Sequence, residues 1–199
     1  MNWINAIVQG LMLGGLYALF ACGLSLLFGV IGVINLAHGD LAILGAYVAV
    51  ALLPSVHSNA LWALLFVPPI FAAFGYASQR TVLQRSLDSG PLTTLLVTFG
   101  LSVVIQNALL EAFSADSHSL SVGALTTRAL QIGSQVSISW LRLSILVVAV
   151  IVLSVLQVFL GRTTAGREIR AVADDAEAAS IAGVNTRHVT AVAAGIAFA

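Results

Sequence analysis

Charged residues are scarce in this chain. Of its 199 residues, 8% are charged and 59% are hydrophobic, whereas soluble domains carry about 25% charged residues. The mean hydropathy is +1.03. This composition excludes an ordinary soluble domain and predicts an integral membrane protein, whose packing is set by contacts between helices in lipid.

Lysine is missing altogether, and arginine and acidic residues balance to a formal net charge of zero. A neutral chain offers no electrostatic basis for binding nucleic acid. The missing lysine also excludes the phosphate-binding P-loop, whose lysine contacts nucleotide phosphates. We therefore expect no nucleic-acid partner, no bound cofactor and no nucleotide hydrolysis by that route. No arrangement of serine, histidine and aspartate predicts catalytic residues either.

Cysteine occurs once, as Cys22 inside an apolar run. A single cysteine cannot form an internal disulfide, and the spacing of cysteine and histidine is not that of a metal site. His57, His118 and His188 likewise lack ligand spacing. The sequence therefore predicts no metal, and Cys22 is interpreted as a small packing residue.

Long charge-free stretches predict the membrane spans, each of which needs about 20 apolar residues. All belong to one transmembrane domain over residues 1–199. The predicted spans cover about residues 4–29, 41–53, 60–77, 92–110, 143–160 and a partial 189–199. The expected fold class is therefore an all-α polytopic helical bundle.

Glycine and proline predict that some of these helices are broken. The first helix is expected to end near Gly29, before a bent or broken segment, and Pro68-Pro69 predicts a kink or break in the third. The GxxxG pair Gly10 and Gly14 predicts close helix packing. The last apolar stretch is too short to cross a bilayer, so we expect the chain to be the front part of a longer protein.

The arginines orient these spans. Six of the eight follow the third and fifth spans, and two lie in the connection 111–142. The positive-inside rule then places 78–91 and 161–188 in the cytoplasm and 111–142 outside. By parity the N-terminus lies outside. Alternating apolar residues around Gly133-Ser134 predict a short β-hairpin on the outer face of the membrane.

Half of the formal charge lies between Gly161 and Arg187. Apolar residues at helical spacing predict one helix over Arg167–Ala182, with Gly183 as its C′ glycine. Arg170 and Asp174 are four residues apart and are expected to pair. Two interpretations remain: a solvated loop helix on the membrane surface, or a docking helix for a cytosolic partner.

Two sequence patterns resemble a known family. Glu177-Ala178-Ala179 followed by Gly183 resembles the EAA-x3-G signature of ABC importer permeases, and residues 163–171 precede it as Thr-Thr-Ala-Gly-Arg-Glu-Ile-Arg-Ala. Residues 9–19 and 29–40 resemble the branched-chain amino acid permease family, and the likeness covers essentially the whole chain. It implies that 166–185 is a coupling helix inserted into a cleft of the ATP-binding subunit. The residues that it assigns to coupling are Gly166, Arg167, Arg170, Glu177, Ala178, Ala179 and Gly183.

The resemblance also implies a function and an assembly. The chain would be a permease subunit that translocates branched-chain or other hydrophobic amino acids across the bacterial plasma (inner) membrane. Its partners would be two cytosolic ATP-binding subunits, a second permease subunit, identical or homologous, and a periplasmic or extracellular binding protein. About a third of the permease would be missing at the C-terminus. Urea or short amides remain open as substrates, and a secondary transporter or channel without an ATPase remains the alternative from another class.

Polar residues within the apolar stretches are the candidates for a substrate pathway. An ionisable residue at membrane depth is a functional candidate, whereas Asn35 or Asp40 also suits a cap for the helix that begins near Leu41. Polar residues of the fourth span suit either interhelical hydrogen bonds or the pathway. The candidates are Asn35, His38, Gly39, Asp40, Gln106 and Asn107.

Overall fold

The computed structural model describes residues 3–56, 61–114, 129–132 and 136–199. Within these ranges three helices are long and apolar enough to cross a membrane: α1 (Trp3–Ile31), α5 (Pro91–Phe113) and α6 (Trp140–Arg162). Few of their residues are buried inside the chain, so their apolar side chains face outward, as lipid contact requires. The chain is therefore a multi-pass membrane protein built from helices.

Shorter elements complete the described part of the chain. They are α2 (His38–Val56), α3 (Leu61–Ser78), a π-helical segment (Gln79–Leu83), α4 (Gln84–Leu87), α7 (Thr164–Asp174), α8 (Ala176–Ile181) and α9 (Thr186–Phe198). Strands β1 (Ala129–Ile132) and β2 (Val136–Ser139) pair antiparallel, with Ala129 opposite Ser139. The turn expected at 133–134 lies outside the described residues.

The connection between α1 and α2 is irregular, as expected. Helix α1 continues two residues beyond Gly29 and ends at Ile31. Gly32 then adopts a φ of +74°, a left-handed conformation that glycine tolerates without steric strain. Residues 32–37 are not helical, and they turn the chain into α2.

The proline pair does not break α3. Both Pro68 and Pro69 lie inside one helix, Leu61–Ser78, so the expected break there is wrong. Membrane helices tolerate proline where neighbouring groups satisfy the freed carbonyls. The irregularity comes ten residues later instead, where the π-helical segment begins at Gln79.

Glycines bring the helices into direct backbone contact, but not the glycines that the GxxxG pattern indicates. Among the described residues, and leaving aside the adjoining backbone of α1, no atom lies within 4 Å of where a Cβ on Gly10 or Gly14 would stand. Gly15 faces α6 instead, since its Cβ would lie 2.8 Å from Leu146 Cδ1. Between α3 and α9, a Cβ on Gly75 would lie 2.7 Å from the Ala194 carbonyl oxygen. The expected packing role of Gly10 and Gly14 is therefore wrong, and Gly15 and Gly75 have such a role.

An apolar cluster joins the charged segment to the bundle. It contains buried residues from α1, α7, α8 and α9, which are Val30, Ile169, Val172, Ala179, Val189 and Ala193. Burying side chains of this size stabilises by about 1.5–3 kcal/mol for each larger residue. Helices α7 and α8 are therefore packed against the bundle on one side.

Candidate functional site

The charged segment folds as two helices, not as the single helix predicted over Arg167–Ala182. Helix α7 ends at Asp174, and Asp175 adopts extended backbone angles of φ −156° and ψ 104°. The Asp175 carboxylate accepts hydrogen bonds of 2.9 Å from the backbone N–H groups of Glu177 and Ala178. Aspartate favours this N-cap position because its oxygen satisfies amides that have no partner in the first helical turn. Asp175 therefore ends one helix and starts the next.

Gly166 positions the start of α7. The Thr163 hydroxyl caps this helix by accepting a 3.0 Å hydrogen bond from the Gly166 N–H. A Cβ on Gly166 would stand 2.4 Å from the Phe159 carbonyl oxygen and 2.5 Å from Leu160 Cα. The first turn of α7 therefore lies directly against the end of α6, at a distance that leaves no space for a side chain.

Gly183 ends α8 in the predicted C′ position, which is confirmed. Its φ is +90°, and its N–H donates to the Ser180 carbonyl at 3.0 Å while Val184 N–H donates to Ala179 at 3.0 Å. These two bonds form a Schellman motif, which satisfies the last carbonyls of a helix.

The predicted coupling residues divide by exposure. Gly166 and Ala179 are buried, whereas Arg167, Arg170, Glu177, Ala178 and Gly183 are exposed. Sequence reasoning missed Ile181, whose side chain is 83% exposed on α8. The sequence could have indicated it, because Ile181 lies two residues after Ala179 and therefore on the opposite face of the helix.

The expected pair of Arg170 and Asp174 does not form in the described part of the chain. Both side chains are exposed, and an exposed pair gains too little to hold two side chains in one geometry. An ion pair joins Arg187 to Asp88 instead, at 3.5 Å. It links the start of α9 to the segment after α4.

A second polar cluster lies between α2 and α5. Ser102 Oγ donates to Asp40 Oδ2 at 2.5 Å, and Gln106 Nε2 donates to Asp40 Oδ1 at 3.0 Å. Two of the predicted pathway residues, Asp40 and Gln106, are thus brought together with Ser102, which sequence reasoning missed. Asn107 is not part of this cluster, because its amide donates to the Val103 carbonyl within α5 at 2.7 Å.

Asn35 and His38 lie apart from this carboxylate. Asn35 Oδ1 accepts a 3.0 Å hydrogen bond from Ala37 N–H, which precedes α2, so Asn35 closes the turn into this helix and does not cap one of its N–H groups. His38 is buried between the rings of Phe20 and Phe198, at centroid distances of 4.9 and 5.9 Å. Its neighbour Gly39 is half-buried.

One face of α5 carries a polar side chain at every fourth residue. Thr94, Thr98 and Ser102 are buried, and Gln106 continues the row at the same spacing. Residues four apart lie above one another on a helix, so this row forms one continuous polar face. It spans about 18 Å along the axis at a rise of 1.5 Å per residue. The four-residue spacing was visible in the sequence, and it was the signal that was missed.

The row ends at a small, partly open cavity of about 10 Å³. Thr94 and Thr98 line it together with Asn35 and Gln79. Gln79 has 0% exposure, and within the described residues neither its amide nitrogen nor its amide oxygen has a hydrogen-bond partner, as is also true of Asn35 Nδ2. Such groups are rare in folded proteins. The π-helical segment that begins at Gln79 brings this amide to the cavity, and π-bulges are frequent at functional sites.

Outward apolar helices and a row of polar side chains along one membrane helix are features that membrane transport proteins combine. Residues 6–198 match the family described as "Branched-chain amino acid transport system / permease component". The chain belongs to this family, as the sequence resemblance indicated.

Curated relatives of the chain are named as branched-chain amino acid transport system permease proteins. The chain is 30% identical over 203 residues to the high-affinity branched-chain amino acid transport system permease protein BraD of Pseudomonas aeruginosa, covering 96% of this chain and 66% of that protein. It is 29% identical over 202 residues to the permease proteins LivH of Salmonella typhimurium and Escherichia coli, covering 96% of this chain and 65% of each. The chain thus spans slightly less than two thirds of the length of these relatives. No solved structure matches it.

Proposed function

We propose that this chain is the membrane-spanning permease subunit of an ABC importer for branched-chain and other hydrophobic amino acids. The family match over residues 6–198 and the printed names of the relatives support this function. The assembly would place it in the bacterial inner membrane with a second permease subunit, two cytosolic ATP-binding subunits and an external binding protein. Residues 161–188 would then be cytoplasmic, and the hairpin β1–β2 would lie on the outer face.

The exposure pattern of α7 and α8 is the observation that carries the coupling role. One side of this helix pair is fixed to the bundle through Gly166, Ile169 and Ala179. The other side presents Ile181, exposed beside exposed Ala178. A large apolar side chain among small neighbours suits insertion into a groove of another protein, where such anchors contribute most of the binding energy. On the surface-helix interpretation Ile181 would instead contact the membrane, and the co-purification experiment distinguishes the two.

The polar face of α5 is the proposed route for the charged head group of the substrate. An amino acid carries an ammonium and a carboxylate, and moving either into an apolar environment without hydrogen bonds is strongly unfavourable. Asp40, Gln106 and Ser102 offer a charged or polar contact at one end, and Asn35 offers its free amide at the other. His38, Gly39 and Asn107 remain proposed pathway residues. Transport would alternate between two conformations with outward and inward access.

Co-purification of the full-length transporter with its ATP-binding subunit tests the docking role. Glu177→Arg and Gly183→Trp should both abolish association, because each alters the exposed surface of α8 or its end. Glu111→Arg is the matched control, since Glu111 is also an exposed glutamate, on α5. Association that survives both α8 substitutions would refute docking.

Uptake by the reconstituted full-length transporter with its binding protein tests the substrate. We expect ATP-dependent uptake of leucine. Uptake of urea without leucine would assign the short-amide alternative. Uptake driven by an ion gradient without ATP, and lost in Asp40→Asn, would assign the secondary-transporter alternative instead, because Asp40 is a carboxylate on a membrane helix.

A further inference from the structure

An apolar groove lies between α1, α6 and α7. Its volume is about 300 Å³, and α1 contributes Cys22 and Gly29, α6 contributes Leu156 and Leu160, and α7 contributes Ile169 and Arg170. Its α1 lining runs from residue 22 to residue 30, which is about 12 Å along the helix axis at 1.5 Å per residue. The groove therefore has the length of a substantial part of a lipid chain.

Gly29 keeps this groove open. In the described part of the chain, and apart from the adjoining backbone of α1, no atom lies within 4 Å of where its Cβ would stand. On the same pair of helices, α1 touches α6 at Gly15, where a Cβ would be 2.8 Å from Leu146. Helices α1 and α6 are in close contact at Gly15 and leave open space at Gly29, so a gap lies between them at the level of Gly29. Neighbouring side chains such as Phe28 and Val155 are more than half exposed, so the gap opens on an apolar outer surface of the described helices.

Arg170 is the charged residue of the groove lining. It is exposed, and in the part of the chain that the structure describes its guanidinium has neither an ion pair nor a hydrogen bond. Arg170 stands beyond the end of α6, where the membrane span gives way to charged sequence. An arginine just beyond the end of a membrane span can bind a lipid phosphate through both its charge and its hydrogen bonds.

We propose that this groove binds one anionic phospholipid, with an acyl chain against Leu156 and Leu160 and the phosphate on Arg170. Apolar walls, the exposed guanidinium of Arg170 and an opening on an apolar outer surface fit this ligand together. The lipid would also contact Ile169, so it would support α7 from the membrane side. Lipid binding itself does not depend on the proposed import function, because retention of lipid is measured without substrate or ATPase.

Native mass spectrometry of the full-length protein from vesicles of phosphatidylglycerol and phosphatidylcholine tests the phosphate contact. We expect Arg170→Ala to reduce retained phosphatidylglycerol at least fivefold. Arg167→Ala is the matched control, because Arg167 is exposed on the same helix but donates to Thr164 Oγ1 at 3.3 Å and does not line the groove. Equal losses in the two variants would mean general attraction to anionic lipid and would overturn the site.

Filling the groove tests the acyl-chain contact. Gly29→Leu places a side chain in open space, so the variant should fold and lose the retained lipid. Gly10→Leu is the matched control, since Gly10 lies on the same helix with equally open space and outside the groove. If Gly29→Leu left lipid retention unchanged and disrupted association with the second permease subunit, the groove would be a protein interface and the proposal would be wrong.

Discussion

Ser102 on α5 donates a hydrogen bond of 2.5 Å to the carboxylate of Asp40 on α2. Gln106, one turn further along α5, donates to the other carboxylate oxygen. A carboxylate between membrane helices needs such donors, because hydrocarbon offers none. These bonds join α2 to α5 at the polar face of the bundle.

Removing the Asp40 carboxylate should weaken the contact between α2 and α5. Asp40→Ala leaves the Ser102 hydroxyl without its acceptor and the Gln106 amide with only Ser102 Oγ, at 3.3 Å, and we expect a loss of about 1–3 kcal/mol in stability. Thermal unfolding of the purified full-length protein measures the loss. Glu111→Ala is the control, since Glu111 is exposed, and its effect should stay within about 0.5 kcal/mol. Equal effects of the two substitutions would contradict the bridging role of Asp40.

The contact of α3 with α9 should not tolerate a single added methyl group. In Gly75→Ala the new Cβ would lie 2.7 Å from the Ala194 carbonyl oxygen, and relieving this clash should destabilise by about 1–3 kcal/mol. Gly100→Ala is the matched control on α5, where nothing lies within 4 Å. Because alanine favours helix over glycine, the control should be neutral or stabilising by about 1 kcal/mol. The melting temperatures of the two variants test this contact. A Gly75→Ala variant that is more stable than the wild type would show that α3 and α9 are farther apart.

The break between α7 and α8 should depend on one of two adjacent aspartates. Asp175→Ala removes the acceptor for two backbone N–H groups and should destabilise by about 1 kcal/mol. Asp174→Ala, at the exposed last residue of α7, should have little effect. Hydrogen exchange of the amides of Glu177 and Ala178 reports the local change. Unchanged protection in Asp175→Ala would mean that the cap does not hold α8.

The buried amide of Gln79 should oppose stability. Replacement by methionine, which has a similar length, removes two polar atoms that have no partner in the described structure, and should stabilise by about 1–3 kcal/mol. If the amide serves the proposed route, the same variant should transport leucine more slowly, which is the trade-off expected of a functional polar group. Gln84→Met, at a half-buried position one turn later, is the control. A destabilised Gln79→Met would show that the amide is satisfied in the membrane.

The sequence was informative where one residue type has one strong preference. Gly183 was identified correctly as a helix end because few other residues adopt its φ of +90°. Asp175 was not identified, because in an alanine-rich run the same residue suits a helix surface and a cap. The packing glycine was misplaced by one position, from Gly14 to Gly15, and one residue rotates a helix face by about 100°.

Long-range contacts explain the other misses. Ser102 and Asp40 are 62 residues apart in sequence, and nothing local in either segment indicates the partner. Gln79 follows an ordinary apolar helix, and its π-helical backbone reflects packing around the cavity. The proline pair was expected to break α3 from local stereochemistry alone, and the bundle overrides that preference.

The contact at Gly166 has a mechanical consequence. Packed atoms transmit displacement because they have no free volume to move into, and here the backbone of α7 rests on the Phe159 carbonyl and Leu160 Cα without an intervening side chain. A displacement of α7 is therefore transmitted directly to the end of α6. Asp175 continues this contact into α8, because its N–H donates to the Ala171 carbonyl of α7 at 3.0 Å and its carbonyl accepts from the Ala179 N–H of α8 at 3.0 Å.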